Sequence, residues 1–451
     1  MLKKISVFLF FLIIFSGFIM QISNAQILPC PVYQYKMTNG LNVVTVPYES
    51  PGIAAFYIVV RVGSRNEIEK GVTGFAHFFE HMMFRGTEKY PSSKYEAVLK
   101  SIGASANANT SDDRTMYHMV GNVEKLELMF EIESDRFQNL KYSEHDFKTE
   151  AGAVKGEYTK NISSPFTKLD EMTMNTAYTT HTYKHTTMGF FEDIVDMPNQ
   201  YQYSLRFFDR FYRPEYSTII VVGDVTQEKV NALAEKYFGN WKRGSYEADI
   251  PVEPVQDETR YVHLQNGDVP PYLDLCFKGP AFSDVQKDVA VLSIIEGLAF
   301  SNKSELYQKL VLTERKARYI SFSPAMNRDP GLIEIGVQLK KKDDMKYVKE
   351  EIMNELNKLK TNPVDNKKLE EVVSNRKYRL IMRLDNPGEI AGMLGSYVSL
   401  TGNPESLNNY YALFDKVTPE DIMAVAQKYF VETGLTIATI SDDEKSIFLN
   451  Q

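Results

Sequence analysis

The chain has 451 residues, with 51 Lys and Arg against 59 Asp and Glu, a formal net charge of −8 and two cysteines. That acidic balance disfavours nucleic acid as a partner, and two cysteines are too few for a disulfide scaffold. The apolar and charged fractions are those of globular protein, and the length exceeds what one core supports, so two domains are expected.

Residues 1–25 read as a secretory signal. Lys3 and Lys4 form the positive end, Phe8 to Met20 the apolar run, and Ser23-Asn24-Ala25 a small-residue cleavage site. The run is short for a membrane span and no second one follows, so no stable membrane anchor is expected and the chain is read as exported, periplasmic or secreted. Losing Lys3 and Lys4 takes the net charge from −8 to −10. Pro29 argues against lipid attachment at Cys30, and Cys30 and Cys276 either pair in an oxidising compartment or stay free.

The first half opens with an Asn39-Gly40 hairpin signal and a strand around Ala54 to Val62. A helix follows, carrying His77-Phe78-Phe79-Glu80-His81. Residues four apart share a helix face, so His77 and His81 can aim both imidazoles at one metal ion. Glu80 flanks that face and can reach a water on the metal, in the H-x-x-E-H order of the inverzincins. Thr73 is placed to cap this helix, Phe75, Phe79 and Met82 give it an apolar stripe, and Gly86 stops it. Two histidines sharing a face by accident are the plainer alternative, so a third ligand must be found. Further on, Ser105 to Thr110 is polar, without a hydrophobic face to bury, and suits an exposed sheet edge or an edge loop. Glu150 and Glu157, seven apart, share one helix face, with Ala, Gly and Val between them as a small surface for close packing on the motif helix. A solvated acidic face is the other fate of such a pair.

Lys242 to Arg260 is polar, with Pro251 and Pro254, and reads as a linker. The same order of elements recurs beyond it. Asn266-Gly267, a strand around Tyr272 to Phe277 and a helix from about Val285 to Phe300 match the opening of the first half. Phe211-Tyr212-Arg213-Pro214 into Asp224 matches Tyr429-Phe430 into Asp442. This is a domain duplication, giving an α+β chain of two homologous domains, each an antiparallel-rich sheet with helices packed on one face. The expected boundaries are 26–245, a linker at 246–260, and 261–451. Sliding by 216 residues places Glu80 on Glu296, His77 on Ser293 and His81 on Gly297, so one metal site per chain is expected. No nucleotide-binding motif occurs in a strand-to-helix context.

Several separated motifs then occur in one order: HFFEHMMFRGTEKYP (77–91), GASANANTSDDRTMY (103–117), SDRFQNL (134–140), EAGAVKGEY (150–158) and YRPEYSTIIVVGDV (212–225). With them the chain resembles the pitrilysin–insulinase zinc peptidases, which include mitochondrial processing peptidase beta-type subunits and half-length bacterial relatives. The resemblance implies Zn2+ held by His77, His81 and Glu157, with Glu80 as general base and Glu150 supporting the site from behind. It implies Glu80-assisted attack of zinc-bound water on peptide substrates added as a strand at Asn107 and Ala108. A metal site in which His, His and Glu leave a formal +1 can lower a bound water's pKa toward about 7.

The pattern breaks in the second half. Equipped family members carry an Arg six or seven residues before a Tyr that helps hold substrate; here Tyr319 fits, but Leu312 stands at the arginine's place. Arg315 precedes Tyr319 by only four residues, too close to match. This implies a dimer, either with a second family chain supplying an Arg/Tyr pair or as a homodimer using Arg315 or Arg318. The competing reading is a catalytically silent peptide-binding or scaffold subunit, against which the complete ligand and base set speaks.

Overall fold

Two strands with apolar centres, Ile53–Val60 and Ser217–Gly223, are buried on both faces from Ala54 and Ser217 onward, and the first half assembles around them. The computed structural model describes residues 27, 28 and 30–449; the secretory signal read at 1–25 lies outside the described residues. The first sheet contains β1 (Tyr33–Lys36), β2 (Asn42–Pro47), β3 (Ile53–Val60), β4 (Ser105–Thr110), β5 (Thr115–Asn122) and β6 (Ser217–Gly223), in the order β1-β2-β6-β3-β5-β4. The second contains β7 (Arg260–Gln265), β8 (Tyr272–Lys278), β9 (Ala317–Ser323), β10 (Leu332–Leu339) and β11 (Leu435–Ser441), in the order β7-β11-β8-β10-β9. Removing β1 leaves the two orders identical. Each sheet has one parallel pair, β2 with β6 and β7 with β11, and is otherwise antiparallel. The duplication and the α+β class both follow from this match.

Helices of the first half are α1 (Phe75–Met82), α2 (Ser92–Ser101), α3 (Leu126–Asn139), α4 (Glu144–Ile162), α5 (Pro165–Ala177), α6 (Phe191–Asp196), α7 (Tyr201–Phe211) and α8 (Gln227–Phe238). The second half carries α9 (Asp288–Ile295), α10 (Glu305–Tyr307), α11 (Met345–Thr361), α12 (Asn366–Ile381), α13 (Pro387–Thr401), α14 (Ser406–Phe414) and α15 (Pro419–Tyr429). Residues 242–259 form neither helix nor strand. No helix among the described residues is long and apolar enough to cross a membrane. Cys30 and Cys276 are both free.

One feature of the packing escapes the local pattern. Each sheet is covered on its second face by a helix from the other half: α13 lies on β3 and β6, and α5 lies on β7 and β11. Ile390, Leu394 and Val398 of α13 join Val44, Val46, Ala55, Val59, Ile220 and Val222 in one core. Leu169 of α5 does the same with Val262, Leu264, Ala438 and Ile440. Each such side chain contributes about 1.5–3 kcal/mol on burial, so the exchange is a large part of what holds the halves together. Gly395 permits the close approach, because a Cβ there would lie 2.8 Å from Met116 Sδ and 3.1 Å from Val59 Cγ2.

Two local expectations are corrected. Asn266-Gly267 is not the counterpart of the Asn39-Gly40 hairpin. It joins β7 to β8, and β11 lies between those two strands, so its equivalent is the β2–β3 connection. The second-half helix begins at Asp288 rather than Val285 and ends in a wider, π-type turn over Glu296–Phe300.

Candidate active site

The motif helix α1 is buried on most of its circumference. Phe75, Phe78, Phe79 and Met82 are all fully enclosed, with Phe79 stacked on Phe207 of α7 at 5.3 Å. Thr73 does not cap it, contrary to expectation. Gly74 is the capping residue, in a left-handed conformation with φ of 86° that a larger residue adopts only under strain. The buried Glu67 carboxylate instead accepts from the amides of Gly74 and Ala76, both at 2.7 Å. Thr73 turns away and donates its hydroxyl to Asp193. Gly86, with φ of 88°, ends the segment as expected.

Helix α4 opens with a reciprocal Ser143–Asp146 capping box and packs on α1, burying Phe147, Ala151 and Val154, with the Phe147 ring 5.0 Å from Phe78. Gly152 and Gly156, read as part of the close-packing surface, face open space instead. Glu150 and Glu157 lie along one side, as their spacing requires.

Three donor atoms converge there: ligand atoms of His77, His81 and Glu157 lie within 4.8 Å of one another. His81 Nε2 is 3.3 Å and His77 Nε2 3.8 Å from Glu157 Oε2. Donors held at about 2.1 Å from a tetrahedral zinc are about 3.4 Å apart, so the trio fits that ion with little movement. His81 Nδ1 lies 3.0 Å from Glu150 Oε1, which leaves Nε2 free to ligate. Arg85, one turn beyond His81, donates to the other oxygen of Glu150. His77 Nδ1 is buried with no hydrogen-bond partner among the described residues. No second cluster of this kind occurs among the described residues.

The electrostatics suit a metal. Burial, aided by the neighbouring His81, pushes the His77 imidazole down to about 4, so it is neutral and able to ligate at neutral pH. The Glu150 hydrogen bond raises His81. Burial raises Glu150, but the His81 and Arg85 hydrogen bonds outweigh it and leave the carboxyl lowered. Glu80 is raised by burial, against the pull of a 2.7 Å hydrogen bond from Thr110 Oγ1. A raised carboxylate beside a metal site is the poise a proton acceptor needs.

A cleft of about 360 Å³ opens beside this trio, lined by Glu80, His81, Phe84, Arg85, Ser92, Asn107 and Glu150. Its rim is the free edge of β4, so Asn107 borders it and Ala108, buried on α1's side, follows. Tyr319 does not line it. It sits 40% exposed on β9, the edge strand of the second sheet and the counterpart of β4. Arg315, the residue turning into that strand, has φ of 55°. Sequence reasoning missed three supports: Glu67, Arg85 and the Thr110–Glu80 bond. Arg85 was readable, being four residues after His81 on one face.

Two imidazoles and a carboxylate around one ion position, a second carboxylate beside them and an unpaired strand edge at the rim define a metallopeptidase class of site. The chain belongs to the insulinase family of peptidases, family M16. The profile described as insulinase, peptidase family M16, matches residues 43–189, and that described as the peptidase M16 inactive domain matches residues 200–376. The chain is 29% identical over 414 residues to the zinc protease PqqE of Helicobacter pylori, covering 89% of this chain and 90% of that one. A crystal structure of a protease from Helicobacter pylori superimposes with a TM-score of 0.83 at 28% identity, covering 91% and 99% of the two chains. The first half of the periplasmic protease PqqL from Escherichia coli shares the fold, with a TM-score of 0.73 at 20% identity over 92% of each chain.

Proposed function

We propose that the chain is an exported zinc endopeptidase that hydrolyses peptides or unfolded segments bound as an added strand. The observation that carries this reading is the convergence of His77, His81 and Glu157 within 4.8 Å, with Glu80 lining the cleft beside the β4 edge. His77, His81 and Glu157 would hold zinc, which when bound supplies the Lewis acidity that activates water and polarises a peptide carbonyl. Glu80 takes the proton of the attacking water and returns it to the leaving amine. Glu150 fixes the His81 ring through Nδ1, and Arg85 holds Glu150 in place. Backbone groups of Asn107 and Ala108 on β4 pair with the substrate main chain, which favours extended peptides of varied sequence.

A dimer completes the site in this reading. Tyr319 lies on an exposed edge away from the cleft of its own chain, so it serves a cleft on a second chain, whether a different family member with its Arg/Tyr pair or another copy using Arg315 or Arg318. Export rests on the secretory signal read at 1–25, in keeping with the periplasmic location stated for PqqL.

The test is size-resolved peptidase activity of the purified chain with zinc stoichiometry measured on the same fractions. One zinc per chain and activity abolished by chelator, but not by serine or cysteine reagents, is expected. Zinc-free protein that still cleaves would overturn the metal assignment. Full activity in a monomer fraction would overturn the dimer.

A further inference from the structure

Pleating divides the β4 side chains between the two faces of the first sheet. Cross-strand partners share a face. Ala106, Ala108 and Thr110 pair with Met119, Tyr117 and Thr115, on the side of α1 and the metal trio. Asn109 pairs with Met116 and Asn107 with His118, the face toward α13, although Asn107 at the free strand edge also borders the metal-side cleft. On that second face, α13 lies chiefly on β3 and β6 and reaches β5 more sparsely, at Met116. A cavity of about 540 Å³ lies there, with Tyr57, Asn109, Met116, His118, Met393 and Tyr397 among its walls.

A peptide strand added to β4 obeys the same pleat. Every second side chain points toward the metal face, and those between point toward the cavity. We infer that this cavity is a specificity pocket that receives an aromatic side chain of the bound peptide, at a position out of phase with the residues facing α1. The inference rests on the reading of the chain as a peptidase that adds its substrate to β4.

The chemistry of the walls sets the class. Tyr57 and His118 stack at 5.0 Å with 18° between their planes, presenting one flat aromatic floor. Met116, Met326 and Met393 surround that floor, and thioethers adapt to aromatic edges. The two charged groups at the mouth, Arg383 and Glu389, lie 3.7 Å apart and offset one another, so neither sign of substrate charge is selected. Burial lowers His118, which keeps the floor uncharged at neutral pH. Two glycines give the cavity its depth: Gly388 and Gly392 of α13 stand over Tyr57, and a Cβ on Gly392 would lie 3.7 Å from Tyr57 Cε1. Gly392 is therefore a position where a side chain enters the cavity without striking backbone.

The experiment compares paired peptides that differ only in tyrosine or alanine at each position, cleaved by the zinc-loaded full chain and read by mass spectrometry. Wild type should favour tyrosine by about tenfold or more in kcat/KM at one position, with no such preference at its immediate neighbours. Gly392→Leu, which lays a side chain across the Tyr57 floor, should bring that ratio to within about threefold. His118→Ala, which removes half the floor, should lower it in the same direction and covers the case in which Gly392→Leu fails to fold. An unchanged ratio in whichever of these variants melts like wild type overturns the inference. Absence of any cleavage by wild type would instead count against the peptidase reading. In that event anisotropy of the labelled peptide pair on zinc-loaded Glu80→Gln chain still judges the pocket: about tenfold tighter binding of the tyrosine peptide supports it and equal binding overturns it.

Discussion

Glu150 never touches the proposed zinc position, yet its removal should weaken the metal. The residue is only 5% exposed, with one carboxylate oxygen 3.0 Å from His81 Nδ1 and the other bonded to Arg85. Glu150→Ala takes away the acceptor that fixes the His81 tautomer and ring angle, leaving Nδ1 and Nε2 to compete for the proton. Losses of this kind cost about 10–100-fold in metal affinity, or about 1.4–2.7 kcal/mol. Glu150→Gln keeps a carbonyl oxygen for the His81 N–H but turns an NH2 toward Arg85, losing that acceptor and the charge at a half-exposed guanidinium that solvent can serve instead. It should therefore fall at the lower end of that range. The assay is competition for zinc against a fluorescent chelator at fixed pH, followed by turnover under saturating zinc. Activity that returns when zinc saturates locates the defect in metal binding. Wild-type zinc affinity in Glu150→Ala would refute the reasoning, because the ring would then owe its orientation to packing alone.

Glu80→Gln should retain one zinc per chain while turnover falls by at least about a hundredfold, because the amide keeps the shape but accepts no proton; elemental analysis beside a rate assay checks both. Arg136→Ala should destabilise by about 3–5 kcal/mol in denaturant titration, since it strands Glu133, which is 1% exposed, without its ion pair. Gly395→Val should cost about 1–3 kcal/mol by forcing Met116 and Val59 away from α13, measured as a shift in the urea midpoint. Glu253 accepts the amides of Thr179, Thr180 and His181; burial raises its carboxyl, but those three bonds prevail and hold it down at about 2. Its folded pKa lies below its unfolded one, so the stabilisation is present above about 4.5 and drains away as pH falls toward 2. Glu253→Gln should thus flatten the acid limb of the stability profile, and a slope equal to wild type between those values would refute the assignment.

The His77–His81 pair was legible because its information is local: residues four apart share a helix face. The seven-residue spacing put Glu150 and Glu157 on one face but left a solvated acidic face equally open, and Glu157 entered the trio only through the family resemblance. The supports were less so. Glu67 caps α1 from ten residues upstream of His77, across a turn whose left-handed Gly74 no periodicity announces, and the nearer Thr73 offered itself instead. Gly152 and Gly156 resembled a packing surface by composition, but the burial of Phe147 and Val154 turns them to the opposite side of α4. Asn266-Gly267 carries the same dipeptide as Asn39-Gly40, and only the insertion of β11 shows that it closes no hairpin. The helix exchange between halves lay beyond sequence reading for a different reason. Ile390, Leu394 and Val398 ask for an apolar sheet to cover, and nothing in their spacing says which of two it is.

That exchange governs how the molecule can move. A hinge between the halves would have to strip α13 from β3 and β6 and α5 from β7 and β11 at the same moment, baring both cores to water. Interlocked in this way, the polypeptide behaves as one solid jaw. In the proposed dimer, any gape wide enough to admit a long guest therefore opens between the two chains, and either half cut free would bare the sheet face that the other half's helix covers.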